Sequence, residues 1–476
     1  MKKKLLIFLF FCTAALAQNS ISELASRIDS VYGNHFLKSS VMGVDVIDLT
    51  SGKTLFQKNE KMLLTPASNL KIITTAAGLL FLHPDYNFQT SVYYTGEIIN
   101  GTLYGSLFVK GGGDPEFSTS DLEKISAVIK KLRIKEITGN LYGDVSMMDS
   151  LFWGNGWMWD DDPSTDAPYL TPLDINANAI GVIVKGSKLG DKGSVELIPR
   201  NNFIKVFNQS TTVPADSPSA LIVTRDWLNR KNKILISGGV KLSVPDSLID
   251  TTWINIYKPE NFFLSLLKEK LEEDGITVTG KNYIAVTPDY AKNIFNINRT
   301  LDSVIIYTNK ISYNLGAEMI LYSLAEKFYG KPAHWQNGVS MIDSLISLCG
   351  LDPKDYRIVD GSGVSHYNLI STELITAILK YFYSNNPELF KILYSSFPVA
   401  GVDGTLRNRM KNSPAENNVH GKTGSLSGAS SLSGFLHSAN NHLVAFSIII
   451  NNFVQSSSKA RDIQDEICNI LCGMNF

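Results

Sequence analysis

The pattern of apolar and polar positions changes character twice along the chain. Residues 18–38 carry apolar side chains at helical spacing. Val41 to Leu49 then alternates with the two-residue period of a strand, Thr50-Ser51-Gly52-Lys53 supplies turn residues, and Thr54 to Gln57 returns, which predicts a hairpin. Thr65-Pro66 predicts a helix start, with Thr65 as N-cap and Pro66 at the first helical position, and the helix runs through Lys71 to about Leu80. From about 88 to 295 short strand-like runs alternate with Gly, Asn and Asp turns, as in Ile98 to Leu103 and Ile137 to Leu141, which predicts small β-rich domains. After 310 long helical patterns return, over Ser312–Tyr329, His334–Leu348 and Ser371–Tyr383. Asn418 to Asn452 reads as strand, a hairpin at Ser438-Ala439-Asn440-Asn441, and the strand Leu443–Ile450. An amphipathic helix over about Ser458–Leu471 ends the pattern, its stripe Ile463, Ile467 and Ile470-Leu471 being core-packing in kind. The two ends share a texture that the middle lacks, so one α/β domain is expected to be split by a large β-rich insertion.

A chain of 476 residues exceeds what one hydrophobic core usually serves. With 44 basic and 45 acidic residues it has no basic excess with which to neutralise phosphates, so nucleic-acid binding is not expected. The start of the chain adds a destination. Lys2, Lys3 and Lys4 precede the apolar run Leu5–Leu16, and Ala15-Leu16-Ala17 offers small residues for a signal peptidase, which predicts a secretory signal cut before Gln18. The run is short for a membrane span, and no transmembrane anchor is expected. Phe10 and Phe11 before Cys12 do not suit a lipobox. Loss of the signal takes the formal charge from −1 to −4. The remaining Cys349, Cys468 and Cys472 read as packing thiols, and seven histidines without close pairing offer no zinc site, so neither metal nor cofactor is expected.

Three short segments carry candidate chemistry: Ser68-Asn69-Leu70-Lys71, Ser312-Tyr313-Asn314 and Lys422-Thr423-Gly424. Singly they are weak, since Ser265–Lys268 and Ser456–Lys459 also fit Ser-x-x-Lys, and Ser438-Ala439-Asn440 and Ser384-Asn385-Asn386 fit Ser-x-Asn. Order and setting strengthen them: Ser68 lies in the first turn of an expected helix, Ser312 opens another, and Lys422 starts a strand. Residues three apart on a helix share a face, so Lys71 Nζ can reach Ser68 Oγ. A serine hydroxyl needs a base to become a nucleophile, and backbone N–H groups at a helix start suit a developing oxyanion. Lys71 must be neutral to act as base, and burial and the nearby cation Lys422 both push that way. Lys422 would stay charged and, with Thr423, hold a substrate carboxylate, while the Ser312 hydroxyl could pass the proton to the leaving amine. Blander readings exist, in which Ser68 and Ser312 only cap helices and Asn314 bonds locally. A phosphate loop at Gly421-Lys422-Thr423 fails because Glu416 stands where the first glycine is needed.

Taken in order, Ser-x-x-Lys, Ser-x-Asn and Lys-Thr-Gly resemble the signature of penicillin-binding proteins and serine β-lactamases. The first two are 244 residues apart, which resembles the class C low-molecular-mass group, the D-alanyl-D-alanine carboxypeptidase/endopeptidases of penicillin-binding protein 4 type. Gly111-Gly112-Gly113-Asp114-Pro115, Asp360-Gly361-Ser362-Gly363 with Asn368-Leu369, Gly404-Thr405-Leu406 and His420 to Leu426 also match. Tyr313 replaces the commoner Asp of the second segment, and His366 stands where relatives often carry Arg.

The resemblance implies an α/β (α+β) transpeptidase-like domain with an antiparallel sheet between helix layers, interrupted by inserted β-rich domains. The expected division is a signal over 1–17, a catalytic domain over 18–87 plus 296–476, a second domain over 88–168 plus 255–295, and a third nested over 169–254. It implies that Ser68 is acylated, Lys71 takes its proton, Ser312 and Asn314 line the opposite wall, and Lys422 with Thr423 binds substrate. The N–H groups of Ser68 and Ser425 would form the oxyanion hole, and Asp161 would lie near the donor peptide's side-chain amine. The implied substrates are peptidoglycan peptides ending in D-Ala-D-Ala, with β-lactam antibiotics as inhibitors, in an exported, extracytoplasmic protein. The alternatives are a β-lactamase or esterase, which slow deacylation of a bound penicillin would argue against, and a non-catalytic wall-binding module, against which stands the complete set of Ser68, Lys71, Ser312 and Lys422.

Overall fold

The computed structural model describes residues 21–218, 220–242 and 250–476, so the secretory signal and Cys12 lie outside the described residues. The chain divides into two compact units, one of residues up to 86 with 301–325 and 335–476, the other of 87–300 with 326–334.

The first unit is built on a five-stranded antiparallel sheet. Its strands are β1 (Val41–Asp48), β2 (Thr54–Lys58), β3 (His420–Leu426), β4 (Ala429–His437) and β5 (Leu443–Asn451), in the spatial order β3-β4-β5-β1-β2. The two ends of the chain meet in its middle, where β1 pairs with β5 from Val41 opposite Asn451 to Asp48 opposite Val444. Helices cover both faces, so β5 is buried from Val444 onward and reads as a nearly unbroken apolar run rather than an alternating one. On one face Leu24 and Ile28 pack with Ile463, Ile467 and Leu471 of the C-terminal helix Ser457–Cys472 against Val44, Leu432 and Ile448. Further helices are α1 (Leu70–Phe81), α2 (Leu301–Ile311), α3 (Asn314–Tyr329), α4 (Trp335–Leu348), α5 (Thr372–Asn385) and α6 (Pro387–Ser396), besides the helical residues 21–32; α5 packs on β1 and β5, and α1 is in contact with α2, α4, α5 and α6.

Several expected elements differ in detail. Thr65 does not cap α1: its N–H donates to Asn451 Oδ1 on the sheet at 2.7 Å, and the chain enters through a 3-10 turn, Ala67–Asn69, preceded by Pro66. Ser312 does not open a helix; it sits in the break between α2 and α3 with φ +63°. The span 418–452 holds three strands, because a second turn at residues 427–428 separates β3 from β4.

The second unit is less purely β than expected. Among the described residues it has four sheets, of three to five strands, and the two α-helices Thr119–Lys131 and Pro259–Glu273. Leu122, Ile125 and Ile129 from the first and Phe262, Phe263 and Leu267 from the second share one core with Val92, Leu107, Ile180 and Ile234. Deeper in this unit Arg225 is fully buried, ion-paired through Nη2 to Asp162 and 3.1 Å from Asn255 Oδ1. No helix among the described residues is long and apolar enough to cross a membrane.

Candidate active site

The turn ahead of α1 delivers Ser68, and the first turn of α1 delivers Lys71, to the edge of the sheet. Ala67 takes the left-handed conformation, φ +48°, an arrangement that costs a non-glycine residue of order 1 kcal/mol and is retained at sites that need it. Lys71 is completely buried, yet its Nζ has three acceptors: Ser68 Oγ at 2.9 Å, Asn314 Oδ1 at 2.5 Å and the Ser362 carbonyl at 2.6 Å. Burial of an amine is tolerated because each N–H is matched. Asn314 comes from the first turn of α3, and Ser362 from the loop between α4 and α5.

The strand β3 closes the opposite side. Lys422 is also fully buried, and its Nζ donates to Ser312 Oγ and to the Thr423 carbonyl, both at 2.8 Å. Burial, and then the neighbouring charge of Lys71, hold the Lys422 amine well below the ordinary lysine range. The half-buried Thr423 bonds Thr405 Oγ1 at 2.7 Å, and Ser425 is exposed at the end of the strand.

Two features tie strand and turn together. Asn69 Nδ2 donates to the Lys422 carbonyl at 2.8 Å, and Ser431 Oγ on β4 donates to the Pro66 carbonyl at 2.7 Å. Gly424 lets the backbones approach: a Cβ there would stand 2.2 Å from Ser431 Oγ, 2.8 Å from Pro66 O and 2.9 Å from Ser68 N. The amide of the proposed nucleophile therefore lies against the strand that carries Ser425, where two N–H groups can face one oxyanion.

Ser68, Lys71, Ser312, Asn314, Lys422, Thr423 and Ser425 all belong to the first unit. Asp161 belongs to the second, in a short turn where its carboxylate accepts the Met158 N–H at 2.7 Å, beside the stacked rings of Trp159 and Trp227. Sequence reasoning gave no role to four groups that the site uses: Asn69, Ser431, the Ser362 carbonyl and Glu318, which accepts the Gly361 and Ser362 N–H groups. Only Glu318 left a signal, as the lone acid in the apolar run Leu315–Ala325. No group of metal-ligating side chains occurs among the described residues.

The model of the D-Ala-D-Ala carboxypeptidase 3 (S13) family matches residues 24–472. The chain is 28% identical to the D-alanyl-D-alanine carboxypeptidase of Actinomadura sp. (strain R39), over 94% of this chain and 84% of that one. The crystal structure of penicillin binding protein 4 from Haemophilus influenzae superposes with a TM-score of 0.81 at 25% identity, covering 92% of this chain and 97% of that chain. The same protein complexed with a β-lactam superposes with a TM-score of 0.76, at the same identity and coverage.

Proposed function

The chain belongs to the D-Ala-D-Ala carboxypeptidase 3 (S13) family, and from that premise we propose how its residues carry out a serine-type DD-peptidase reaction. The substrates are peptidoglycan stem peptides ending in D-Ala-D-Ala, and cross-links between such peptides serve as well. The observation that carries the reading is the contact of Ser68 Oγ with the buried Lys71 Nζ at 2.9 Å, in which a half-buried nucleophile meets a base held out of water.

Ser68 Oγ attacks the carbonyl carbon of the penultimate D-Ala as Lys71 takes its proton. The carbonyl oxygen becomes an oxyanion and is met by the Ser68 and Ser425 N–H groups. As the amide bond breaks, the Ser312 hydroxyl gives its proton to the leaving D-Ala amine and is refilled from Lys422 Nζ, its donor at 2.8 Å. The proton that Lys71 took makes good the one that Lys422 gave up, so Lys71 is neutral again when water hydrolyses the ester on Ser68 and passes its proton to it. Lys422 and Thr423 bind the terminal carboxylate. A β-lactam enters by the same attack, but its amine stays tethered after ring opening. The apolar run behind Lys2–Lys4 supports export and an extracytoplasmic workplace. The domain division we favour keeps 18–87 plus 296–476 as the catalytic domain, with a nested pair inserted.

Intact-mass analysis after incubation with benzylpenicillin tests the reading. One adduct of penicillin mass is expected, on the tryptic peptide containing Ser68, and Ser68→Ala should lose it. An adduct on another residue, or none on folded protein, overturns the assignment.

A further inference from the structure

Lys71 has one covalent tether and three hydrogen-bonding directions. If its lone pair is to face the Ser68 hydroxyl, two neutral acceptors must occupy the other two directions and hold them. One is Asn314 Oδ1, the other the Ser362 carbonyl. Asn314 is fixed by α3 directly. The Ser362 carbonyl lies on a loop, and a loop carbonyl is free to swing unless its peptide is clamped.

The clamp comes from the same helix. Glu318 lies one turn after Asn314, on the same face of α3. Its Oε1 accepts the N–H groups of Gly361 at 3.0 Å and Ser362 at 2.8 Å. Thr74 Oγ1 of α1 donates to the Gly361 carbonyl at 2.7 Å, so that peptide is gripped from both ends. Asp360 fixes the rest of the loop, accepting from Gly363 N at 2.9 Å, Ser365 N at 2.7 Å and Asn368 Nδ2 at 2.8 Å. Glu318 is 2% exposed, and burying a carboxyl costs far more than burying an apolar side chain of the same volume. A merely space-filling role would be served better by leucine or methionine.

We propose that Glu318 is a positioning residue for the nucleophile and its base: through the Gly361–Ser362 peptide it holds the Ser362 carbonyl on Lys71 Nζ, so that α3 orients the lysine lone pair toward Ser68 twice, once through Asn314 and once through this relay. Glu318 touches neither substrate nor Ser68. The proposal rests on the reading of Ser68 as nucleophile and Lys71 as base. The charged group that acts on it is Asp360. Burial, followed by the charge of Asp360, pushes the Glu318 carboxyl well above the ordinary carboxylate range.

The test compares wild type with Glu318→Gln, Glu318→Met and Glu318→Asp, after circular dichroism and thermal melts have established which are folded. Each is read by penicillin acylation rate and by kcat and KM on a D-Ala-D-Ala peptide. Met, which has no acceptor, and Asp, which is one methylene short, should lower the acylation rate and kcat by about 30-fold or more, since small misplacements in such pairs are costly. KM should stay within about 3-fold, because the carboxylate site on β3 is untouched. Gln, which keeps the Oε1 acceptor and carries no charge, should recover most of the loss. Should Met fail to fold, Asp carries the same comparison. A folded Met or Asp variant with wild-type kcat overturns the proposal, as does a loss confined to KM. A Gln variant as slow as Met also overturns it, because the carboxylate charge rather than the acceptor would then be in use. Wild-type protein that takes no penicillin would bring down the parent reading, whereas wild type that is acylated while the variants behave otherwise brings down this one alone.

Discussion

At the scale of single residues the site turns on two lysines kept out of water by different means. Lys71 Nζ donates to three oxygens and Lys422 Nζ to two, and burial first, then the charge of Lys71, drive the proton affinity of Lys422 down. That works against the sequence-based expectation of a lysine standing charged in the empty site. A substrate carboxylate reverses it, because an anion against the amine favours the protonated form. The pH consequence has a definite sign. Clamping a carboxylate requires the protonated amine, so KM for carboxylate-bearing peptides should climb as pH passes the lowered pKa, well before the ordinary lysine value of 10.5. A neutral thioester lacking that carboxylate should show no such rise. Lys422→Met should slow acylation by the carboxylate-bearing substrate by ~10² or more, the worth of one charge-assisted hydrogen bond, and the thioester much less. Acylation kinetics on both substrates across pH check this. Equal slowing of the two would mean that Lys422 serves proton transfer alone.

At the scale of elements the decisive junction is β3 against the turn ahead of α1. Gly424→Ala should force these backbones apart, because its Cβ would meet Ser431 Oγ, Pro66 O and Ser68 N all within 3 Å. The expected result is a folded protein acylated ~10²-fold more slowly, with the loss in the acylation step because the Ser68 amide leaves the oxyanion position. Penicillin kinetics beside a thermal melt check it; an unchanged rate would remove the oxyanion reading of this junction. Much of this layer was legible in local pattern. The β1–β2 hairpin and the C-terminal helix follow from turn residues and helical spacing and β5 from its apolar run, although β1 is buried from Met42 onward rather than alternately because helices cover both faces. What local pattern misses is set by distant partners. The N–H of Thr65, an apparent cap, is claimed by Asn451 across the sheet, and the left-handed Ser312 is visible only once α2 and α3 are both in place. The helix Thr119–Lys131 was readable in principle: Asp121 takes the Ser118 N–H at 3.0 Å, as a capping box requires, and Leu122, Ile125 and Ile129 follow at helical spacing. Surrounding turn-rich strands obscured it. The site itself split the same way: Ser68 and Lys71 announce themselves by spacing, whereas Glu318 acts through a peptide bond 43 positions away.

At the scale of the whole molecule the chain leaves the first unit after Tyr86 and re-enters it at Leu301, whose N–H donates to the Tyr86 carbonyl at 2.9 Å. Just beyond, Asn87 pairs with Thr300 in the second unit, to which residues 326–334 also belong. Each unit has its own buried core and its own buried polar network, and the contacts of Ser68 and Lys71 named above lie entirely within the first. Stability of the second unit and chemistry of the first should therefore be separable. Arg225 is the place to test this. Its guanidinium is wholly buried against Asp162, which also accepts from Tyr169 Oη at 2.9 Å, and Asn255 links the pair to the Ser164 and Ala167 carbonyls. Arg225→Met would leave the Asp162 carboxylate buried without its counter-charge, a change that typically costs about 3–5 kcal/mol. Adding Asp162→Asn should return part of the loss, since the two side chains share one network. Calorimetry should show one of two transitions lowered in the single variant and partly restored in the double. Below that transition the rate of penicillin acylation at Ser68 should match wild type. A single transition that moves as a whole, with acylation falling in step, would show instead that the two units fold as one and that the insertion stabilises the catalytic sheet.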